Sequence, residues 1–367
     1  MVDEIPNCAK KGRGAVSNAA GRFEPHARVA VDDGWTLGED NTSSPKLRTE
    51  VTAERVKSPF ARNTSPDIPF DRSLNPYRGC EHGCVYCYAR PSHAYMNLSP
   101  GLDFESKLFA KTNLADALEA ELRKPSYTPA PVMIGANTDA YQPIERDYRI
   151  TREILEVLRA YRHPTMIVTK SHLITRDLDI LSDMARDNLV SVAVSVTTLN
   201  ATLARHMEPR AATPTRRLAA IRALSNAGVP TMVFAAPMIP TLTDVELEAI
   251  LEAGRDYGAS AASYILVRLP LEIKDLFGEW LAAHAPGKAQ RILSLLSQSR
   301  GGQLYRSDFT TRMTGTGVHA QLLSQRFRLV CKKLGLRPAD PTQHSLNTKA
   351  FMRPPRAGDQ LGLFTFM

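Results

Sequence analysis

Five short apolar runs, residues 132–136, 165–169, 190–197, 231–239 and 262–269, limit what this chain can fold into. They are rich in Val, Ile, Met and Ala and lack polar alternation, which suits parallel strands covered on both faces. Amphipathic segments separate them. Ile154, Leu155 and Leu158 mark one apolar face, and Leu178, Leu181 and Met184 a second. Leu218, Ile221 and Leu224 mark a third, which Ala227-Gly228 and Pro230 bring to a stop. Thr243-Asp244 opens a fourth, with Leu247, Ile250 and Leu251 facing inward. Repeated strand–helix units call for a parallel sheet with right-handed crossovers. With one more strand expected before Cys80, there are six units, too few for a closed eight-unit barrel. The fold class is therefore α/β, a partial (β/α)6 TIM-like barrel.

Both flanks differ from this core. Residues 1–66 are polar, rich in Gly, Pro, Ser and Asn, and without periodicity, so a flexible N-terminal extension is expected. Residues 67–285 form the expected core domain. Residues 286–367 form a basic, mainly helical C-terminal extension, with helices expected over 289–299 and 319–334 and another over 272–285 just before it. The net charge of +8 lies wholly in this last segment, which carries 13 Lys/Arg against 3 Asp/Glu. Such an excess is a candidate phosphate-binding surface, with a solvated helix and tail as the plainer reading. No apolar run approaches the ~18 residues that span a bilayer. The start, Met-Val-Asp-Glu-Ile-Pro, lacks a secretory pattern. Five cysteines, three of them clustered, suit a reducing cytoplasm and no membrane.

Those three are Cys80, Cys84 and Cys87, in Asn75-Pro-Tyr-Arg-Gly-Cys-Glu-His-Gly-Cys-Val-Tyr-Cys-Tyr-Ala-Arg90. Three thiolates within eight residues can hold three corners of an iron–sulfur cube and leave the fourth iron open. Most such clusters take four cysteines and only carry electrons. A structural zinc site is the competing reading, but zinc ligands usually come in two pairs, and Cys8 and Cys331 are remote and solitary. His82 could supply a fourth ligand only from inside the tight loop.

The C-x3-C-x2-C spacing, with Tyr86 just before the last cysteine, resembles the cluster loop of the radical SAM enzymes. Further motifs follow in the expected order: Thr138-Asp139-Ala-Tyr-Gln-Pro-Ile-Glu145, Thr169-Lys170-Ser171, Ser195-Val-Thr-Thr198, Glu208-Pro-Arg210 and Pro237-Met-Ile-Pro240. Over residues 70–334 the chain is similar to the spore photoproduct lyase-like branch, also called DNA-repair-photolyase-like, whose bacterial members include some of unestablished substrate. The resemblance implies a [4Fe–4S] cluster and S-adenosylmethionine (SAM) as cofactors. It implies reductive cleavage of SAM to a 5′-deoxyadenosyl radical, and a reductant such as flavodoxin or ferredoxin. The reaction would be a lyase or base-modifying step on nucleic acid. The alternative is radical chemistry on a peptide, protein or small molecule.

The resemblance also proposes roles for residues. Tyr86 offers a face to adenine. Lys170 could meet the SAM carboxylate or a substrate phosphate, and Ser195 the ribose hydroxyls. Many relatives carry Gly-Gly-Glu at the end of strand two to hold the methionine amino group. Here Asn137, Thr138 and Asp139 stand there, with Asp139 or Asn137 as the substitute. Arg210 is a further carboxylate clamp. Spore photoproduct lyase is expected to use a cysteine to return hydrogen to its product. No cysteine maps to that role here, which weakens a thymine-dimer repair reading.

Overall fold

The uninterrupted apolar runs become largely buried strands, as their composition requires. The computed structural model describes residues 7–24, 26, 47–340 and 346–355. In chain order it begins with β1 (Glu50–Glu54), β2 (Ala61–Arg62), β3 (Arg72–Leu74), β4 (Tyr77–Arg78), α1 (Leu102–Ser106), β5 (Lys107–Lys111) and α2 (Leu114–Leu122). The repeating part follows: β6 (Val132–Ile134), α3 (Glu145–Tyr148), α4 (Ile150–Ala160), β7 (Thr165–Thr169), α5 (Leu178–Arg186), β8 (Val190–Ser195), α6 (Ala201–Met207), α7 (Pro214–Asn226), β9 (Thr231–Met238), α8 (Leu247–Asp256) and β10 (Ala261–Leu266). Helices α9 (Ile273–His284), α10 (Pro286–Gln298) and α11 (Gly317–Leu334) and the short β11 (Arg337–Pro338) complete it.

The main sheet runs β11-β10-β9-β8-β7-β6-β3-β2. Strands β3 and β6 to β10 pair in parallel, and only β2 is antiparallel. The two end strands do not pair with each other, so the barrel stays open. Val190, Val192 and Val194 are buried on one face of β8 and Ala193 and Ser195 on the other, because helices cover the outside and packed side chains fill the inside. The four expected apolar faces are those of α4, α5, α7 and α8. Helix α7 starts on Pro214 and ends before Gly228, whose φ of +76° reverses the chain.

A second sheet, β1-β5-β4, lies outside the barrel, with β1 parallel to β5 and β4 antiparallel to it. It was not expected from local pattern. Within the described part of residues 1–66, Arg13, Ala15, Val16 and Ser17 are buried, while most of the other described residues there are exposed. The remainder, 1–6, 25 and 27–46, lies outside the described residues, as does the end of the C-terminal extension. Helix α11 buries Leu323, Phe327 and Cys331.

Candidate active site

Beyond β3 the chain passes through the short β4 into the cysteine loop, which is gripped from all sides. Cys80 N–H donates to Phe104 O at 2.9 Å and Val85 N–H to Met207 O at 3.0 Å. Gln142 accepts from Glu81 N–H at 2.8 Å and donates to Gly79 O at 3.1 Å. Gly83 adopts φ +68°, and a Cβ there would lie 2.7 Å from a Glu105 carboxylate oxygen. Arg90 is wholly buried. Its guanidinium donates to the carbonyls of Cys84 (2.8 Å), Gly83 (3.1 Å), Pro100 (3.1 Å) and Gly101 (2.8 Å), and pairs with Glu105. Glu105 in turn accepts from Gly14 N–H at 2.9 Å and Ala15 N–H at 2.8 Å, while Arg13 donates to Glu105 O at 2.6 Å. The N-terminal segment thus closes over the loop.

Within this frame Cys80 and Cys84 are buried and Cys87 is half-buried, all as free thiols. Burial pushes each thiol up. For Cys80 the charges of Asp139 and of the other two thiolates add to it, and for Cys84 that of Glu208. His82 is occupied elsewhere: its Nδ1 lies 3.3 Å from Asp139 Oδ2. Among the described residues no three His, Cys, Asp or Glu side chains converge as a single-ion site requires.

The expected SAM contacts fall into two groups. Tyr86, Lys170 and Ser195 come together. Lys170 Nζ donates to Ser195 Oγ (2.5 Å), Thr197 Oγ1 (3.3 Å) and Ala236 O (3.2 Å), and lies 3.3 Å from Glu208 Oε1. It also sits 5.7 Å from the Tyr86 ring centre. Burial lowers its ammonium to about 8, against the pull of the Cys84 thiolate. Tyr86 is buried, and its hydroxyl donates to Glu208. Asp139 accepts from Thr169 Oγ1 (2.8 Å), Lys170 N–H (2.7 Å) and Tyr141 N–H (2.9 Å). Burial opposes its charge, but His82 and these donors hold the carboxyl below its usual range.

Asn137 and Arg210 stand apart from that group. Asn137 N–H donates to Asn75 Oδ1 at 2.9 Å, beyond the ends of the neighbouring strands β6 and β3. Arg210 has 36% of its side chain exposed and pairs with Glu81 at 3.0 Å.

Glu208 is the residue that sequence reading passed over. It is buried, pairs with the buried Arg217, and accepts from Tyr86 and from Thr197 Oγ1 (2.7 Å). Its motif was visible, but the exposed Arg210 drew the role. Removing one partner of such a buried pair typically costs ~3–5 kcal/mol, so Glu208 anchors the whole group.

A cleft of about 540 Å³ opens where the ends of β3, β6 and β10 meet, lined by Asn75, Asn137 and Arg268. Phe60, Phe70 and the half-exposed Tyr88 give it aromatic walls. Arg78, Lys111 and Arg312 join Arg268, and no acidic side chain lines it. Burial lowers the Lys111 ammonium to about 8, and Arg78 adds to this. Arg78 pairs with Glu54 (2.8 Å) and Arg312 with Asp67 (2.6 Å).

The basic C-terminal segment is less free than its charge suggests. Arg300 is buried, donating to the carbonyls of Leu266 (3.3 Å), Val267 (3.0 Å), Thr311 (3.0 Å) and Arg312 (2.8 Å). Arg326 pairs with Glu248 at 2.6 Å, and Arg353 donates to Leu122 O and Lys124 O. These arginines fasten the extension to the core. Among the described residues no helix is long and apolar enough to cross a membrane.

Comparison with known proteins bears on the family and the fold. Residues 74–254 match the Radical SAM superfamily. An uncharacterized protein of Mycobacterium tuberculosis is 37% identical over 250 residues, 67% of this chain and 74% of that protein. One of Methanocaldococcus jannaschii is 29% identical over 197 residues, 54% of this chain and 71% of that one. Among solved structures, spore photoproduct lyase complexed with dinucleoside spore photoproduct superposes with a TM-score of 0.57 at 15% identity, covering 78% of this chain and 81% of that one. A mutant lyase with bound AdoMet and the same photoproduct gives 0.56. At that identity the likeness is one of fold. The superfamily works with a [4Fe–4S] cluster, SAM and an external reductant. From the matched segment, this chain belongs to the radical SAM superfamily and is an enzyme of that class, with a fold like that of spore photoproduct lyase.

Proposed function

We propose that Cys80, Cys84 and Cys87 hold the [4Fe–4S] cluster, and that SAM lies between it and the group formed by Tyr86, Lys170 and Ser195. The observation that carries this is the clamped loop. Three free thiols stand there in a dry setting flanked by Asp139 and Glu208. Such a setting needs positive charge to keep thiolates, and an iron cluster supplies it. His82 is engaged with Asp139, which argues against a zinc site completed by that ring. When bound, cluster and SAM supply the radical chemistry of the class.

The chain's own residues orient and shield. Lys170 presents a cation for the SAM carboxylate, held in place by Ser195, Thr197 and Ala236. Asp139 is a fixed carboxylate facing the loop, suited to an amino group. Tyr86 is a buried wall whose hydroxyl is committed to Glu208, and Ser195 offers a hydroxyl to the ribose. Asn137 faces the cleft, on the substrate side. Arg210 acts on the loop through Glu81.

The cleft supports an anionic aromatic substrate, with rings for stacking and four basic side chains, which favours a nucleic acid acted on by lysis or base modification. A peptide or small molecule is the second reading. It is favoured by the internal engagement of Arg300, Arg312, Arg326 and Arg353, which leaves a smaller basic surface. The test is anaerobic reconstitution with iron and sulfide, reduction, addition of SAM, and assay of 5′-deoxyadenosine. Product in the native chain and none in Cys84→Ala is expected; a four-iron cluster that still forms in Cys84→Ala would overturn the ligand assignment. Oligonucleotide binding that weakens steeply with salt favours nucleic acid, and salt-independent or absent binding favours the second reading.

A further inference from the structure

A second concavity, again about 540 Å³, lies on the other side of the His82–Asp139 pair. The loops after β6, β7 and β8 build its walls, which carry Arg146, His172, Arg176, Arg210 and Arg216 and no acidic side chain. Its floor includes His82, midway between Cys80 and Cys84 in the cysteine loop. The inner arginines are already satisfied: Arg176 pairs with Glu145 (2.6 Å) and Asp177 (2.8 Å), and Arg210 with Glu81 (3.0 Å). Arg146 and Arg216 are exposed and have no carboxylate partner among the described residues. Free cations on the rim and neutralised ones within do not converge on a small anion. They suit a broad acidic face, where rim charges steer association. The aromatic ring in the concavity, Tyr141, is fully buried, so the platform that a single-stranded nucleic acid would stack on is missing.

We infer that this concavity is where an acidic one-electron carrier protein docks to reduce the cluster. The inference rests on the ligand assignment made above. The carrier gives up one electron and the cluster gains it, with no atom transferred. A carrier seated on Arg146 and Arg216 would reach the cysteine loop through His82, away from the cleft that takes substrate.

Flavodoxin is the probe. Its affinity for the chain is measured with and without the cluster at low and high salt, and the rate at which its hydroquinone bleaches the cluster is followed. Arg146→Glu/Arg216→Glu should weaken binding and slow bleaching more than tenfold at low salt, while dithionite reduction stays unchanged. Lys332→Glu/Lys333→Glu, the same charge change on α11, should do neither. Equal affinity in all three chains, an equal loss in the α11 variant, slowed dithionite reduction, or loss of duplex DNA binding in place of flavodoxin binding would each overturn the inference. Because the affinity is read without the cluster too, failure to form one counts against the ligand assignment and leaves the docking result legible.

Discussion

Arg90–Glu105 and Arg217–Glu208 are both fully buried pairs beside the cysteine loop, and both arginines also donate to main-chain carbonyls, yet the remaining hydrogen bonds of their carboxylates come from different places. Glu105 is satisfied by main-chain N–H groups of Gly14 and Ala15, and Arg90 by four main-chain carbonyls. Glu208 is met instead by side chains, from Tyr86, Thr197 and Lys170. The first pair fixes the path of the backbone. The second holds groups that can change partners, because hydroxyls and an ammonium rotate and main chain does not.

The largest test of that contrast is Glu105→Ala. It leaves Arg90 buried without its partner and should lower the unfolding free energy of the metal-free chain by ~3–5 kcal/mol, read by denaturant titration. A metal-free chain of native stability would break the comparison. Acid gives the next effect. His93 and His163 are buried, and burial lowers both to about 4 from 6.5. The unfolded chain takes up these protons first, so stability is full above pH 6.5 and falls as pH drops toward 4, by up to ~3 kcal/mol for each ring. His93 packs on Phe104 under the loop and His163 sits ahead of β7. His93→Phe and His163→Phe should each flatten the acid limb of the stability curve, and a limb unchanged in both would show that other groups set it. The smallest stability effect belongs to the second pair: Tyr86→Phe removes the hydroxyl that donates to Glu208 and touches Thr197 Oγ1 at 3.3 Å, a loss of about 1 kcal/mol per hydrogen bond. If the group is a ligand site, SAM affinity should nonetheless fall more than tenfold. A stability loss without an affinity loss would make it architecture after all.

Much of the barrel was legible because its strands are buried on both faces and need no polar alternation. Residues 165–169 became β7 with the same limits, and α7 stopped where Gly228 and Pro230 direct. The β1-β5-β4 sheet was not legible, since Glu50 pairs with Lys107 and no local period records that. Nor was the burial of residues 13–17, whose small and polar side chains read as loose chain. In the site, Lys170 was legible as the end of one strand and Ser195 as late in the next. Glu208 was not, because its partners come from β8, α7 and the cysteine loop, and which member of Glu208-Pro-Arg210 turns inward is a property of packing.

The hold of Gly14 and Ala15 on Glu105 bears on how the chain is made. These residues leave the ribosome long before their partner does, so the thiol loop stays unlatched until residue 105 has emerged. A protein begun at residue 74, where the family match starts, would never latch.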